Sequence, residues 1–233
     1  MSAGAMRRRA GYPTELVLIL STSPTLSNWP ESVDAQTDLT TRIGGWLFRH
    51  RTSLPVPAAL VILTVPAGDT SPSLFLVGAG VGITVVGELI RLWGVHHIGA
   101  ISRTRSERLG PLVASGPFAL IRNPLYVGNI ALWIGFALAA RLVWLAPIVL
   151  VLLGLEYHAI VRWEESLLES RLGQAYRDYA ARVPRWIPSF DRGDRGLSRL
   201  KEGFSWRATL FSERGTFMAI ALGYVVLWIK LRT

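Results

Sequence analysis

The twenty residues LFLVGAGVGITVVGELIRLW, 74–93, carry only two charged side chains, Glu88 and Arg91. A helix needs about 20 mostly apolar residues to cross a hydrocarbon core of about 30 Å, and this stretch supplies them. Backbone amides in lipid must find their partners inside the segment, so a run of this length dictates a membrane helix. Comparable runs recur at 125–140, apolar apart from Asn129, at 142–161 and, shorter, at 216–229. SLPVPAALVILTVP, 53–66, is a short, proline-marked candidate. Together they predict an all-α integral membrane protein with about five transmembrane helices plus interfacial amphipathic helices.

Only 18% of the 233 residues are charged, below the roughly 25% usual for soluble domains. The net charge of +9 lies in loops between apolar runs, which fits a positive cytoplasmic face better than nucleic-acid binding. The absence of cysteine excludes disulfides, zinc–thiolate sites and iron–sulfur clusters. His96 and His97 are adjacent, so they cannot ligate one ion from one helix face. The lipid bilayer is therefore the expected partner, with neither metal nor nucleic acid.

Residues 1–40 read as a flexible N-terminal tail, 41–188 as the transmembrane core, and 189–233 as a basic linker, interfacial helix and C-terminal membrane helix. Within this frame, DLTTRIGGWLFRHR (38–51) suits a helix lying in the interface with Trp46, Leu47 and Phe48 dipping inward. The polar stretch 164–183 reads as a surface or interfacial helix stopped by VPRWIP.

Positive charge orients the bundle. The loop at 67–73 has no Lys or Arg, the next connection has Arg103, Arg105, Arg108 and Arg122, and the third has only Arg141. Strict alternation places the N-terminus and the second and fourth connections in the cytoplasm. Three segments then deliver polar groups to one membrane face: Glu88, Arg91, His96 and His97; Arg122 and Asn123; Glu156, His158, Arg162, Glu164 and Glu165. Ionisable groups at that depth are costly and mark a site or a water-filled cavity.

SGPFALIRNPLYVGN, 115–129, stands at the start of one such helix. Asn123 suits an N-cap and Pro124 the first helical position. Tyr126 and Asn129 share a face with Ile130 and Trp133, which a helix start alone does not explain. His158, Arg162 and Glu165 share a face on the fourth span, either as a ligand site or as a surface ion pair. GAGVG (78–82) fails the dinucleotide fingerprint and suits close helix packing through Gly78 and Gly82 instead. RGD at 192–194 falls in an arginine-rich segment and is discounted.

GPFALIRNPLYVGN, then EESLLESRLGQAYRDYAARVPRWIP, resembles the isoprenylcysteine carboxyl methyltransferase and phospholipid methyltransferase superfamily, from about residue 89 to 188. The shared pattern is G-P-[YF]-x-x-x-R-[HN]-P-x-Y-x-G, followed by E-E-x-x-L, G-x-x-Y-x-x-Y and V-P-x-x-x-P. The resemblance implies methyl transfer from S-adenosylmethionine to a lipophilic or small acceptor, at the cytoplasmic face of a bacterial inner membrane. It implies cofactor binding by Arg122, Asn123, Pro124, Tyr126, Gly128, Glu164 and Glu165, with Asn129 added as a candidate by its shared face with Tyr126, and an acceptor entering laterally between helices. His158, Arg162 and Glu156 are the candidate catalytic residues, His158 as a base for an amine or hydroxyl acceptor.

Two departures matter. Asn123 stands where many relatives have His, and His158 and Ile160 replace arginines that suit a carboxylate acceptor in the eukaryotic prenylcysteine enzymes. A prenylcysteine carboxylate is therefore disfavoured. Sterol-type NADPH reductases look similar at their C-terminal helices and are the competing enzyme class, and a non-catalytic membrane scaffold or transporter subunit is a third reading.

Overall fold

The structure, a computed structural model, describes residues 39–66, 74–98, 112–189 and 205–232. The expected tail up to residue 38, the loop at 67–73, Arg103, Arg105, Arg108, RGD and the basic linker up to residue 204 lie outside them; the last two residues of the expected tail begin the first helix. The described residues form helices and turns without strands: α1 (Leu39–His50), α2 (Val56–Thr64), α3 (Leu74–Ile98), a short 3-10 turn (Gly116–Ala119), α4 (Pro124–Ala139), α5 (Leu145–Leu172), α6 (Gln174–Arg182) and α7 (Trp206–Lys230). Helices α3, α5 and α7 are long and apolar enough to cross a membrane, and α4 is a shorter apolar helix of 16 residues. The all-α membrane class is as expected.

Several boundaries differ from the sequence expectation. The first span is a nine-residue helix, α2: Pro55 and Pro57 stand at its start, the extended Val65 before Pro66 ends it, and the chain turns at 51–55, where Ser53 and Leu54 both donate to the His50 carbonyl. The stretch read as an interfacial helix is α1, which packs on α5. There a side chain on Gly44 would strike the Ala159 carbonyl, and one on Gly45 the Trp163 indole. Phe48 turns inward against Trp163 at 4.8 Å, but Trp46 is half exposed and stacks on His50.

The polar helix expected at 164–183 is not one element. Helix α5 runs on for 28 residues, about 42 Å at 1.5 Å per residue, and so extends past a 30 Å core. It breaks only at Gly173, whose φ of +52° favours glycine, and α6 follows. Helix α7 begins ten residues before the expected span, with Ser205 capping it through a bond from the Ala208 amide at 3.2 Å.

Glycine does bring two helices together, but not the expected pair. A Cβ on Gly78 or Gly82 would meet nothing within 4 Å, so these glycines do not pack. One face further round, Gly80 and Gly87 of α3 press on Gly135 and Gly128 of α4: a Cβ on Gly80 would sit 2.6 Å from the Gly135 carbonyl oxygen, and one on Gly87 2.8 Å from that of Gly128. The spacing of seven keeps both glycines on one α3 face. The main core lies beside this seam, with Ala137, Ala139, Leu142, Leu145, Val149, Leu153 and Ile160 buried. Beyond the α4–α5 turn, where Arg141 adopts φ +61°, α5 returns to the end at which α4 began.

Candidate functional site

Helix α4 begins as the sequence foretells, with Asn123 in the cap position and Pro124 first in the helix. The cap bond itself is absent. Asn123 Nδ2 instead donates to the Arg185 carbonyl at 3.1 Å, and the Arg122 amide donates to that of Pro184 at 2.9 Å. Ser189 closes the other side through the Leu120 carbonyl at 3.1 Å. The residues after α6, 183–189, thus form a strap zipped to the entry of α4. Tyr179 anchors α6 to the same turn through the Phe118 carbonyl at 2.8 Å.

The strap and the entry turn converge on one carboxylate. Glu165 Oε1 lies 2.8 Å from Arg122 Nη1, and Glu165 Oε2 lies 2.5 Å from Arg185 Nη2. Arg185 Nε donates to Glu165 Oε1 at 3.0 Å, a two-pronged pairing that fixes geometry as well as charge. Tyr176 sits within hydrogen-bonding reach of Arg122 below this cluster, its phenol pushed up to about 12, mainly by burial and then by the Glu165 charge. Arg122 Nε is buried with no hydrogen-bond partner, a donor held in reserve.

Glu164 points the other way. Its Oε1 accepts from the Tyr126 hydroxyl at 3.0 Å, and the Tyr126 ring lies tilted against Tyr157 with centroids 4.7 Å apart. Adjacent carboxylates therefore do different work: Glu165 is saturated by two arginines, whereas Glu164 spends one oxygen on a tyrosine.

Two of the expected cofactor residues go elsewhere. Gly128 packs on α3, where a side chain would collide with Arg91 Cγ at 2.6 Å. Asn129 accepts from Arg91 Nη1. Arg91 also holds Glu88 at 3.1 Å and Glu213 of α7 at 2.8 Å, so this guanidinium ties α3, α4 and α7 inside the bundle. Asn129 lies within hydrogen-bonding reach of Tyr157, which links this cluster to the Tyr126 ring.

The three candidate catalytic residues are not brought together. His158 and Arg162 are exposed along one face of α5, while Glu156 Oε1 is buried with no hydrogen-bond partner. The His158 ring lies 6.5 Å from Trp186 of the strap. Beside it opens a cavity of about 400 Å³ between α4 and α5, lined by Val127, Ile130, Leu150, Gly154 and Trp186. Sequence reasoning missed Arg185, Trp186 and Glu213. The first two sit inside VPRWIP, whose prolines drew attention as a helix stop; Glu213 was masked by the arginine beside it.

The donor set fits S-adenosylmethionine, which the resemblance implies. Arg122 Nε suits a carboxylate, and the second Glu164 oxygen suits an ammonium or a hydroxyl. Among the described residues no group of three or more His, Asp or Glu is placed to hold a metal ion.

A family model described as phospholipid methyltransferase matches residues 75–175. The chain is 33% identical over 155 residues, 63% of its own length and 68% of the relative's, to the nickel-cobalt-cadmium resistance protein NccN of Alcaligenes xylosoxydans xylosoxydans. It is 29% identical over 167 residues, 67% and 73% of the two lengths, to the cobalt-zinc-cadmium resistance protein CzcN of Cupriavidus metallidurans. The matched span holds Arg91, Arg122, Tyr126, Glu164 and Glu165 and supports a membrane methyltransferase in general. By these matches the chain belongs to the phospholipid methyltransferase family.

Proposed function

We propose that this protein transfers a methyl group from S-adenosylmethionine to an acceptor bearing an apolar chain, at the cytoplasmic end of the bundle. The observation that carries this reading is the strap: consecutive residues Arg185 and Trp186 face the charged cluster and the apolar cavity, respectively. A polar cofactor and an apolar acceptor would thus meet at one boundary.

The cofactor, when bound, supplies a methyl on a positively charged sulfur that needs little activation. The protein's task is then alignment and exclusion of water. Arg122 and Glu164 would hold the cofactor's charged and hydroxyl groups, with Glu165 and Arg185 fixing Arg122 from behind. Tyr126 orients Glu164, and Tyr157 fixes the Tyr126 ring. His158, exposed and one turn from Gly154, would take the proton of an amine or hydroxyl acceptor. The chain lacks cysteine, and among the described residues its histidines at 50, 96, 97 and 158 join no group of three or more His, Asp or Glu that could hold a metal ion. On this reading, a contribution to metal resistance of the kind the relatives' names describe would run through methylation of that acceptor.

The test is incubation of the purified protein with methyl-labelled S-adenosylmethionine and a bacterial membrane lipid extract. Label in the organic phase, lost in His158→Ala, is the expected result. Unchanged turnover in His158→Ala would remove His158 from its role, and no transfer to any fraction would remove the activity.

A further inference from the structure

Glycine inside a helix weakens it relative to alanine, so a helical glycine usually has a packing reason. Gly80, Gly87 and Gly135 have one, since any side chain there would strike the neighbouring helix. Gly154 does not: a Cβ built on it meets nothing within 4 Å. Gly78 and Gly82 are equally open, but they sit on the outer surface of α3, whereas Gly154 forms part of the wall of the cavity between α4 and α5.

The occupant follows from the surroundings. The lining residues are apolar or aromatic, and about 400 Å³ is the scale of a small-ligand pocket. Leu150, half exposed on a membrane-length helix, opens the cavity toward the bilayer, where the available filler is an alkyl chain. Leu150, Gly154, His158 and Arg162 follow one another at steps of four on a single α5 face. A chain lying over Gly154 would therefore place its polar head one to two turns on, at His158 and Arg162. Trp186 bounds both the cavity and the His158 ring.

We propose that Gly154 is a specificity-determining residue of the acceptor site: lacking a side chain, it keeps a groove open for one apolar chain of an amphiphilic acceptor, with Trp186 as the wall at its head end. This rests on the methyltransferase reading for the word acceptor, but the groove is testable without turnover.

The experiment uses the full chain in detergent with a sixteen-carbon fatty acid carrying a diazirine, photolysed and mapped by mass spectrometry. Labelling at Val127, Ile130 and Trp186 is compared with Leu222 and Val225, exposed on α7. Gly154→Leu is expected to cut groove labelling about 10- to 100-fold, the range by which a filled apolar pocket discriminates. Gly154→Ala and Gly78→Leu keep it, and α7 labelling is unchanged in all three. Groove labelling in Gly154→Leu at the wild-type level overturns the proposal, as does a loss shared equally with α7 or with Gly78→Leu. A wild-type protein that labels in the groove yet binds no S-adenosylmethionine would instead overturn the methyl-transfer reading and leave the groove standing.

Discussion

Arg122 and Glu165, 43 positions apart, meet at 2.8 Å where the entry of α4 faces the extension of α5, and Arg185 closes on the same carboxylate from the strap. All three are largely shielded from solvent, so removing the shared anion leaves two arginines crowded without their counter-ion. Glu165→Gln is expected to weaken S-adenosylmethionine binding at least about 10-fold and to loosen the strap, costing about 1–3 kcal/mol of stability. Arg185→Gln, which leaves the Arg122 pair intact, should cost less on both counts. Calorimetric titration and thermal melts of the two variants check the order; equal, unchanged affinities would contradict it.

Tyr126→Phe removes a single hydroxyl while leaving the ring on Tyr157. The lost bond to Glu164 is worth about 1 kcal/mol of stability, within the range for one hydrogen bond. Because Glu164 is then unoriented, cofactor affinity should fall further than stability does. A melt and a titration on the same sample separate the two, and a fall in stability alone would make Tyr126 purely structural.

The helix seam gives a paired contrast. Gly80→Ala presses a methyl on the Gly135 carbonyl and the Ala139 backbone, so it should destabilise by about 1–3 kcal/mol, as overpacking does. Gly78→Ala and Gly82→Ala meet open space and should be neutral or slightly stabilising. The reverse order in thermal unfolding would refute the assignment of the seam.

Part of this was legible in the chain. The apolar runs announced the long helices, and Pro124 marked the start of α4. The Glu164–Glu165 pair and Tyr126 could be named, but not which neighbour each would face, because adjacent residues on a helix point about 100° apart and the partners come from other segments. Asn129 shows the difficulty: its spacing from Tyr126 suggested one shared target, and both do reach Tyr157 on α5, yet the Tyr126 hydroxyl binds Glu164 whereas Asn129 also accepts from Arg91 on α3. The same limit hid Gly80 behind the more conspicuous Gly78 and Gly82. Hydropathy also could not show that α5 continues past 161, since a helix leaving the bilayer turns polar without ending.

Alkali offers a test of the packing beneath the charged cluster. Burial pushes the Tyr176 phenol up to about 12 and moves Tyr179 in the same direction, against about 10 for an exposed tyrosine. The unfolded chain therefore ionises first. The stability these phenols contribute is complete below pH about 10 and is lost as pH rises through 12. Melting temperature in detergent should fall across that window, and less steeply in Tyr176→Phe. An identical slope in the variant would contradict the burial of Tyr176.

The most direct measurement is a calorimetric titration of the detergent-purified protein with S-adenosylmethionine, S-adenosylhomocysteine and NADPH in turn. Binding of the two sulfur compounds, weakened in Glu164→Gln and absent for NADPH, is the expected result. Binding of NADPH alone would contradict methyl transfer and favour a reductase.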